Sequence, residues 1–518
     1  MNTDSQYKEI PTPSAWLSLI PIAFLVVMLF FSVVSFGVDT LSGASQLTLL
    51  ISAGIAAAIA MGVYKISWAQ IEHSIISSIS TVMPSVILLL FIGALSGAWM
   101  CSGIVPGFIY YGMKIIHPKF FLATACAVCA IVSMITGSSW TTIATIGLAL
   151  IGIGQAQGFD VGVVAGAIIS GSYFGDKMSP LSDTTVLASS VTGTPLFTHI
   201  RYMTVTTAPA IAITLIIFIV LGLNHEVTST REMDFISMGL HSKFNISPAI
   251  FIVPFFTILL IALKTPSIIA LFLSSLMGIA FALYVQPDIL TEIGGGASRI
   301  KGAAIALYGE ATLDYADKTL KELTGSHGMK GMLDTIWLIL CAMIFGGIMK
   351  GCKMLDAITG IFIRMIKGRT SMVAATVVSG TFFNTVLADQ YLAIILTGGM
   401  YMPVYANKGY ENRLLSRTTE DAVTVTSPLI PWSTCGMTQA TMLNVPTVTY
   451  LPYSFFNILC PIFTIIVAAI GLGIKRRVNH EKSRILTAAL KTEYLQNAAP
   501  TQSDLHRGGK HAKKGGTL

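Results

Sequence analysis

Charged residues are scarce in this sequence. Lys, Arg, Asp and Glu make up 11% of the 518 residues, whereas an ordinary soluble chain carries about 25%. Apolar residues make up 53%, and the mean hydropathy is +0.73. So few charges cannot solvate several soluble domains, and they also exclude a disordered chain and a nucleic-acid-binding protein. The composition therefore predicts an all-α, polytopic transmembrane helical bundle in a lipid bilayer.

The sequence also lacks common enzyme and disulfide motifs. It contains no Walker A motif, no GxGxxG and no HExxH, and its seven cysteines follow no pairing pattern. Cys126 and Cys129 form a CxxC inside an apolar run, which favours small-residue helix packing over a metal or redox site. An intramembrane aspartyl protease would need GxGD, but Tyr-Phe-Gly precedes Asp176. We therefore expect no enzyme activity and no cofactor, with an intramembrane enzyme as a remote alternative.

The net charge of +7 lies at the C-terminal end of the chain. Residues 475–518 contain ten basic and three acidic residues, which leaves residues 1–474 with 22 of each sign. A basic segment after a last apolar span is typical of a cytoplasmic tail held near anionic lipid. We therefore predict a mostly disordered cytoplasmic tail and a cytoplasmic N-terminus over residues 1–15.

Apolar segments of about 20 residues cross a bilayer, and ten such segments are clear in the sequence. They are 16–36, 46–64, 82–100, 119–136, 203–223, 249–263, 266–285, 333–350, 371–387 and 453–474. Two further stretches, 138–200 and 388–452, are apolar but interrupted by Gly, Pro, Ser, Thr and acids. Residues 351–369 have the pattern of an interfacial amphipathic helix. Residues 286–332 are expected to form a long mixed-charge loop.

The two interrupted stretches align when the chain is shifted by 251 residues. The prolines of SPLS and IPWS then coincide, as do Pro195 and Pro446. Upstream, a shift of 250 places Gly97 on Gly347. Helix-breaking residues at matching positions in two halves point to the binding site of a transporter.

This pattern predicts two inverted membrane repeats with broken helices at the midplane. Repeat 1 covers 16–223 and repeat 2 covers 248–474, joined by a polar connector at 224–247. Seven crossings in each repeat, 14 in all, would invert the second copy. The basic residues of 351–369 would then lie inside, as the positive-inside rule expects.

The densest polar cluster lies at residues 171–190, between apolar flanks. Its members are Asp176, Lys177, Ser179, Ser182, Asp183, Thr184 and Thr185. Pro180 frees carbonyl groups a turn earlier, and Gly171 and Gly175 are expected to let the backbone open. Carbonyls, hydroxyls and carboxylates are hard oxygen ligands that suit sodium in an interrupted helix. The alternative is a cytoplasmic loop with solvated charges. Cytoplasmic loops are usually enriched in basic residues, however, and this segment has one Lys against two Asp.

A second polar cluster, residues 414–436, is the repeat partner of the first. Arg417, Glu420 and Asp421 open it, and the alternative for these three is a solvated helix start. Ser433 and Thr434 close it and align with the pair 182–183. Asn384 and Asp389 lie upstream in an apolar context, where they predict either an ion site or a buried structural hydrogen bond.

Four segments resemble the NhaC-type sodium/proton antiporters of the ion-transporter superfamily. They are GSSWTTIATIG, GSYFGDKMSPLSDTTVLAS, FGGIMKGCKMLD and TEDAVTVTSPLIPWSTCG. The resemblance covers roughly residues 15–475 and leaves the tail outside. It implies a secondary antiporter of the inner membrane, driven by ion gradients, with sodium ions and protons as its partners. The same family includes exchangers that couple uptake of protonated malate to efflux of sodium and lactate, and no motif separates the two.

We predict a sodium/proton antiporter in which Asp176 and Asp183 bind sodium and protons in competition. The other predicted ion-binding residues are Ser179, Ser182, Thr184, Thr185, Asn384, Asp389, Ser433 and Thr434. Lys177 is expected to set the charge of Asp176 by its proximity, and Arg417, Glu420 and Asp421 are expected to modulate charge.

The main alternative is a malate/lactate exchanger of the same fold. Such a protein needs a positive group for a small carboxylate, and Arg417 is the candidate. A homodimer is compatible with all of these features.

Overall fold

The computed structural model describes residues 13–36, 43–225, 230–263, 265–296 and 298–476, and they form an all-α fold. In these ranges the extended backbone is limited to two isolated bridges, one between Ala311 and Ser326 and one between Tyr410 and Arg476. The predicted fold class is therefore confirmed. The basic tail from residue 477 onwards and residues 1–12 lie outside the described residues.

Ten helices form the first half of the chain. They are α1 (Ala15–Phe36), α2 (Ala44–Gly62), α3 (Trp68–Cys101), α4 (Ile104–Ile115), α5 (Phe121–Thr136), α6 (Ser139–Thr142), α7 (Leu148–Ala156), α8 (Val161–Met178), α9 (Asp183–Val191) and α10 (Leu196–Leu223). A π-helical turn, Ile143–Gly147, joins α6 to α7. Because no break separates them, α6, the π-helical turn and α7 form one continuous span.

The remaining helices are six over residues 230–323 and eight over residues 333–470. The six are α11 (Thr230–Lys243), α12 (Ile252–Ala262), α13 (Ser267–Val285), α14 (Pro287–Ile293), α15 (Arg299–Tyr308) and α16 (Lys318–Leu323). The eight are α17 (Leu333–Gly351), α18 (Met354–Arg364), α19 (Arg369–Leu387), α20 (Gln390–Asn407), α21 (Asn412–Thr419), α22 (Thr434–Leu443), α23 (Thr447–Tyr450) and α24 (Phe455–Ile470). A second π-helical turn, Glu420–Thr424, follows α21.

Nine helices in the described ranges are long and apolar enough to cross a membrane. The number rises to 11 if each of two bent helix pairs counts as one span. The prediction of 14 crossings exceeds this count, because the interrupted stretches contain helices too short to cross alone, such as α9 with nine residues and α22 with ten.

The breaks predicted from Pro and Ser lie where helices end and begin. Helix α8 ends at Met178 because Pro180 restricts the residue before it and cannot donate a hydrogen bond. Helix α9 begins after Ser182, whose hydroxyl accepts from Thr185 N at 3.4 Å. In the second half, Ser433 caps α22 by accepting from Gly436 N at 3.0 Å.

The helix boundaries repeat along the chain at the predicted shift of 251. Gly137 and Ala388 both have a positive φ, 69° and 53°, and Ser182 and Ser433 are both N-caps. Upstream, α4 and α18 begin 250 residues apart. Several helix boundaries therefore recur in the two halves, and the inverted orientation of the halves remains a prediction.

Helices α5 and α8 pack closely through two glycines of α8. A Cβ at Gly171 would lie 2.0 Å from the Cys126 carbonyl oxygen, and one at Gly175 would lie 2.2 Å from the Ala130 carbonyl oxygen. The prediction that these glycines open the backbone is wrong, because α8 runs unbroken through both. Small residues four apart instead allow two helices to touch. The small-residue packing predicted for Cys126 and Cys129 is confirmed, since both are buried and free.

The close contact between α5 and α8 leads to a prediction about stability. Gly175→Ala should destabilise the protein by about 1–3 kcal/mol, because the added methyl group forces α5 and α8 apart. Thermal unfolding of the purified protein in detergent would measure the loss. Gly54→Ala is the matched control, since a Cβ there meets nothing within 4 Å; an equal melting temperature for both variants would contradict the packing argument.

The segment 286–332 is ordered rather than a simple loop. It contains α14, α15 and α16, and Ala311 pairs with Ser326. Helix α15 packs on α3, where a Cβ at Gly97 would lie 1.7 Å from the Ala306 carbonyl oxygen. The connector 224–247 likewise contains a helix, α11, and Lys243 Nζ donates to Glu292 Oε1 at 2.7 Å. The mixed charge of the two segments therefore predicted their exposure correctly, but it did not predict their helices.

Candidate functional site

The break between α8 and α9 is closed by its own side chains. Ser179 Oγ accepts from Leu181 N at 3.2 Å, and Thr185 Oγ1 donates to the Lys177 carbonyl oxygen at 3.1 Å. Ser179, Ser182 and Thr185 are buried. The alternative of a solvated loop is therefore wrong for these hydroxyls, which hold a turn inside the protein.

Asp176 lies near the end of α8 and is buried. Its Oδ2 atom accepts from the Ser139 backbone N at 3.1 Å and from Ser139 Oγ at 2.7 Å. Ser139 is the first residue of α6, so the carboxylate lies at a helix N-terminus, which favours negative charge. In the described part of the chain, no Lys, Arg or His nitrogen forms a salt bridge with Asp176.

A cavity of about 480 Å³, the Asp176 cavity, adjoins this carboxylate. Its polar lining includes Ser138, Asp176, Asp183, Thr184 and Tyr391. The cavity thus joins residues of the first break to the start of α20. No group of three or more His, Cys, Asp or Glu side chains suited to a metal occurs in the described ranges. A cation here would therefore be held mainly by hydroxyl and carbonyl oxygens around one or two carboxylates.

Asp183 lines the mouth of this cavity rather than its buried end. It is the first residue of α9 and is exposed. The neighbouring Ser179 and Ser182 hydroxyls bond to Leu181 N, to Thr185 N and to Thr184 Oγ1. The helix cap is Ser182. Asp183 therefore remains near the site, but it is exposed while Asp176 is buried.

Lys177 does not point at Asp176. Its Nζ forms a buried ion pair with Asp421 of the second half. Asp421 Oδ2 also accepts from Thr206 Oγ1 at 2.9 Å and from Thr464 Oγ1. The prediction that Lys177 sets the charge of Asp176 by proximity is wrong, because Lys177 pairs with Asp421 instead. Adjacent residues of a helix face different sides.

Arg417, Glu420 and Asp421 are all fully buried, so the alternative of a solvated helix start is wrong. Arg417 Nε lies 4.0 Å from Asp421 Oδ2, and its guanidinium carbon lies 4.5 Å from the centre of the Tyr202 ring. Two cations therefore share the Asp421 carboxylate. Because a buried charge needs a partner, these residues have to fold together.

Glu420 connects this buried cluster to the Asp176 cavity. Its Oε1 atom accepts from Thr184 Oγ1 at 3.2 Å, and Thr184 lines the cavity. Glu420 opens the π-helical turn after α21, and such turns are frequent at functional sites. One hydrogen bond thus joins the two predicted polar clusters.

The remaining predicted residues form the counterpart in the second half. Asp389 caps α20 by accepting from Leu392 N at 2.9 Å, and its Oδ2 atom accepts from Thr434 Oγ1 at 3.4 Å. Asn384 Nδ2 donates to the Val423 carbonyl oxygen at 2.9 Å. The Asp389 carboxylate is satisfied by protein groups, whereas Asn384 Oδ1 is buried without a hydrogen-bond partner among the described residues. The structural hydrogen bond considered for Asn384 and Asp389 is therefore present.

The repeat exchanges an acid and a hydroxyl between its two copies. At a shift of 251, Ser138 corresponds to Asp389 and Asp183 corresponds to Thr434. The first half has its hydroxyl at the helix cap and its acid after the break, while the second half has the reverse. Asp183, the acid of the first copy, lines the Asp176 cavity, whereas Asp389, the acid of the second copy, is buried.

Three partners of the buried charges were not predicted from the sequence: Thr206, Thr464 and Cys460. All three lie in spans that the sequence describes only as apolar. A hydroxyl inside an apolar span is a weak signal, because many such groups bond to their own helix.

The fold and site define a multi-pass membrane protein with interrupted helices around a buried carboxylate. The sequence model of the Na+/H+ antiporter family matches residues 171–472, more than half of the chain. The chain therefore belongs to the Na+/H+ antiporter family. This confirms the predicted NhaC-type resemblance and, at the level of the family, the predicted antiporter function.

Three known antiporters are similar to this chain over most of its length. The Na(+)/H(+) antiporter NhaC of Alkalihalophilus pseudofirmus is 34% identical over 410 residues, which cover 79% of this chain and 87% of the relative. The Malate-2H(+)/Na(+)-lactate antiporter of Bacillus subtilis is 33% identical over 410 residues, covering 79% and 84%. The Arginine/ornithine antiporter ArcD of Halobacterium salinarum is 30% identical over 475 residues, covering 89% and 92%.

Proposed function

We propose that this protein exchanges sodium for protons across the cell inner membrane, with Asp176 as the carboxylate that both ions occupy. One observation carries the proposal: a buried carboxylate, which has no basic partner among the described residues, adjoins a cavity whose lining includes hydroxyl groups. A buried negative charge is costly unless it is neutralised. Either a proton or a sodium ion neutralises it, and the two cannot do so together.

The neighbouring groups suit this exchange. Ser139, Ser138 and Thr184 offer hydroxyl oxygens close to the cavity, and hard oxygen ligands suit a hard cation. Asp183 at the mouth would attract a cation and raise its local concentration. Binding of one ion and release of the other at the same carboxylate couples the two fluxes without ATP.

The orientation in the membrane is part of this proposal. We place residues 351–369 and both termini in the cytoplasm and the connector 224–247 outside, as the basic residues after the last span favour. The four domains after the N-terminus keep the boundaries that the sequence predicts, and a homodimer remains compatible with them.

The absence of a basic residue from the described lining of the Asp176 cavity favours sodium over an organic anion. Arg417, the residue expected to bind a carboxylate, packs on Tyr202 instead. The relatives named for malate, lactate, arginine and ornithine nevertheless make these solutes the appropriate competitors in a transport assay.

The deciding experiment is transport by the purified protein in proteoliposomes. An outward sodium gradient should drive proton uptake, measured with an internal pH dye, and the rate should not require any organic solute. Exchange that appears only with malate and lactate, or with arginine and ornithine, would replace sodium/proton antiport by solute exchange. Cleavage of a membrane substrate would instead favour the enzyme alternative.

A further inference from the structure

A second and larger cavity lies beside the same helices. We call it the Ser96 cavity; its volume is about 780 Å³, and its polar lining includes Ser96, Gln155, Thr335 and Thr441. None of the predicted ion-binding residues lines it.

The two cavities lie at different depths along the same two helices. On α3, Leu88 lines the Asp176 cavity and Ile92 lines the Ser96 cavity; on the span that starts with α6, Trp140 and Ala144 do the same. Four residues of a helix correspond to about 6 Å. A layer about one helical turn thick therefore separates the two cavities on both helices.

The repeat relates the two cavities to each other. Three residues of α3 line the Asp176 cavity, and the three residues of α17 that lie 250 positions later line the Ser96 cavity. The residues of α3 are Pro84, Ser85 and Leu88, and those of α17 are Asp334, Thr335 and Leu338. The Ser96 cavity thus occupies, in the second half, part of the place that the Asp176 cavity occupies in the first.

The rims of the cavities lie on opposite sides of a membrane span. Ser267, at the rim of the Asp176 cavity, is the first residue of α13, whereas Asp334, at the rim of the Ser96 cavity, lies in the first turn of α17. Between them the described chain contains a single helix long and apolar enough to cross, α13. One crossing places the two rims on opposite sides.

The Ser96 cavity has a polar mouth and an apolar floor. Thr312, Lys321, His327 and Asn444 are exposed at its edge, while Ile92 is buried. A wide mouth with charged groups, and a described lining without a buried acid, is suited to water and hydrated ions rather than to a dehydrated ion.

We propose that the Ser96 cavity is the second aqueous vestibule of the transport pathway and conducts hydrated sodium ions between the Asp176 site and the side of the membrane opposite to Ser267. This inference rests on the proposed sodium/proton exchange. The layer that separates the two cavities then forms the barrier that opens during transport. It lies between Leu88 and Ile92 on α3 and between Trp140 and Ala144 on the span that starts with α6.

Cysteine labelling tests the vestibule without requiring transport. Ser96→Cys and Thr441→Cys would be treated with a membrane-impermeant thiol reagent in right-side-out and inside-out vesicles. Both should label from one side only, and Ser267→Cys should label from the other. The native cysteines give little background, since all seven are buried.

Ile87→Cys is the matched control, because Ile87 lies on α3, is exposed on the surface and lines neither cavity. A thiol in water should react on the order of tenfold faster than one in lipid, since the thiolate is the reactive form. Modified Ser96→Cys should also lose exchange relative to the same variant before modification.

Three results would overturn the vestibule. They are labelling of both test variants no faster than Ile87→Cys, labelling from the same side as Ser267→Cys, and full labelling that leaves exchange unchanged. If the wild-type protein shows no sodium/proton exchange, the proposed function fails, whereas the labelling pattern still decides whether the cavity is aqueous and on which side it opens.

Discussion

Asp176→Asn should abolish sodium-driven proton flux while leaving the protein folded. The amide keeps an oxygen that can accept from Ser139 N and Oγ, so the contact with the start of α6 survives. It removes the negative charge and the titrating proton. Losing a charged ligand worth about 3 kcal/mol weakens sodium binding on the order of 100-fold. Flux in proteoliposomes across pH 6 to 9, together with the melting temperature, would measure both effects.

Asp183→Asn is the matched control for this variant. The carboxylate of Asp183 is exposed, so its removal should weaken sodium attraction at the mouth by less than about tenfold, an effect that salt would screen. If Asp183→Asn abolished exchange and Asp176→Asn did not, the shared carboxylate would be Asp183.

Removal of either partner of the Lys177–Asp421 pair should destabilise the protein strongly. Breaking a buried ion pair costs about 3–5 kcal/mol, because the remaining charge stays buried. The two losses should differ. Lys177→Met leaves Asp421 with Arg417 at 4.0 Å, whereas Asp421→Asn leaves two cations without their shared carboxylate. Asp421→Asn should therefore be the more destabilising variant.

Equilibrium unfolding in mixed detergent micelles would test this order, with Lys408→Met as the control because Lys408 is exposed. The double variant should lose less stability than the sum of the two single losses, since it removes both members of the pair. Additive losses, or a milder effect for Asp421→Asn than for Lys177→Met, would show that the pair is not the stabilising contact.

Most of the membrane fold could be predicted because apolar length and helix breakers act locally. Pro180 ends α8 wherever its partners lie, and Ser182 and Ser433 cap the helices that follow. The shift of 251 could be read from the same residues. The helices of 286–332 were missed, because short helices stabilised by packing on other helices, as α15 is by packing on α3, have no strong periodicity of their own.

The candidate site could be predicted only in part. Asp176 could be predicted as a site residue because a carboxylate within an apolar segment is costly and is usually kept for function. Its relation to Lys177 could not be deduced, because the direction of a side chain depends on which helices surround α8. The partner of Lys177 lies 244 residues away, and no local pattern specifies such a contact. For Asp183, sequence proximity to the break did not reveal its exposure.

The separation of Lys177 from Asp421 has a consequence for biosynthesis. At roughly 5–20 residues per second of synthesis, the 244 residues between them take about 12 to 50 s to emerge. During that interval the ammonium group of Lys177 is at the membrane without the Asp421 carboxylate that later neutralises it. Helix α8 therefore has to wait at the translocon or the lipid interface until the π-helical turn with Asp421 is made. The first half of the chain should not settle in its final position before then.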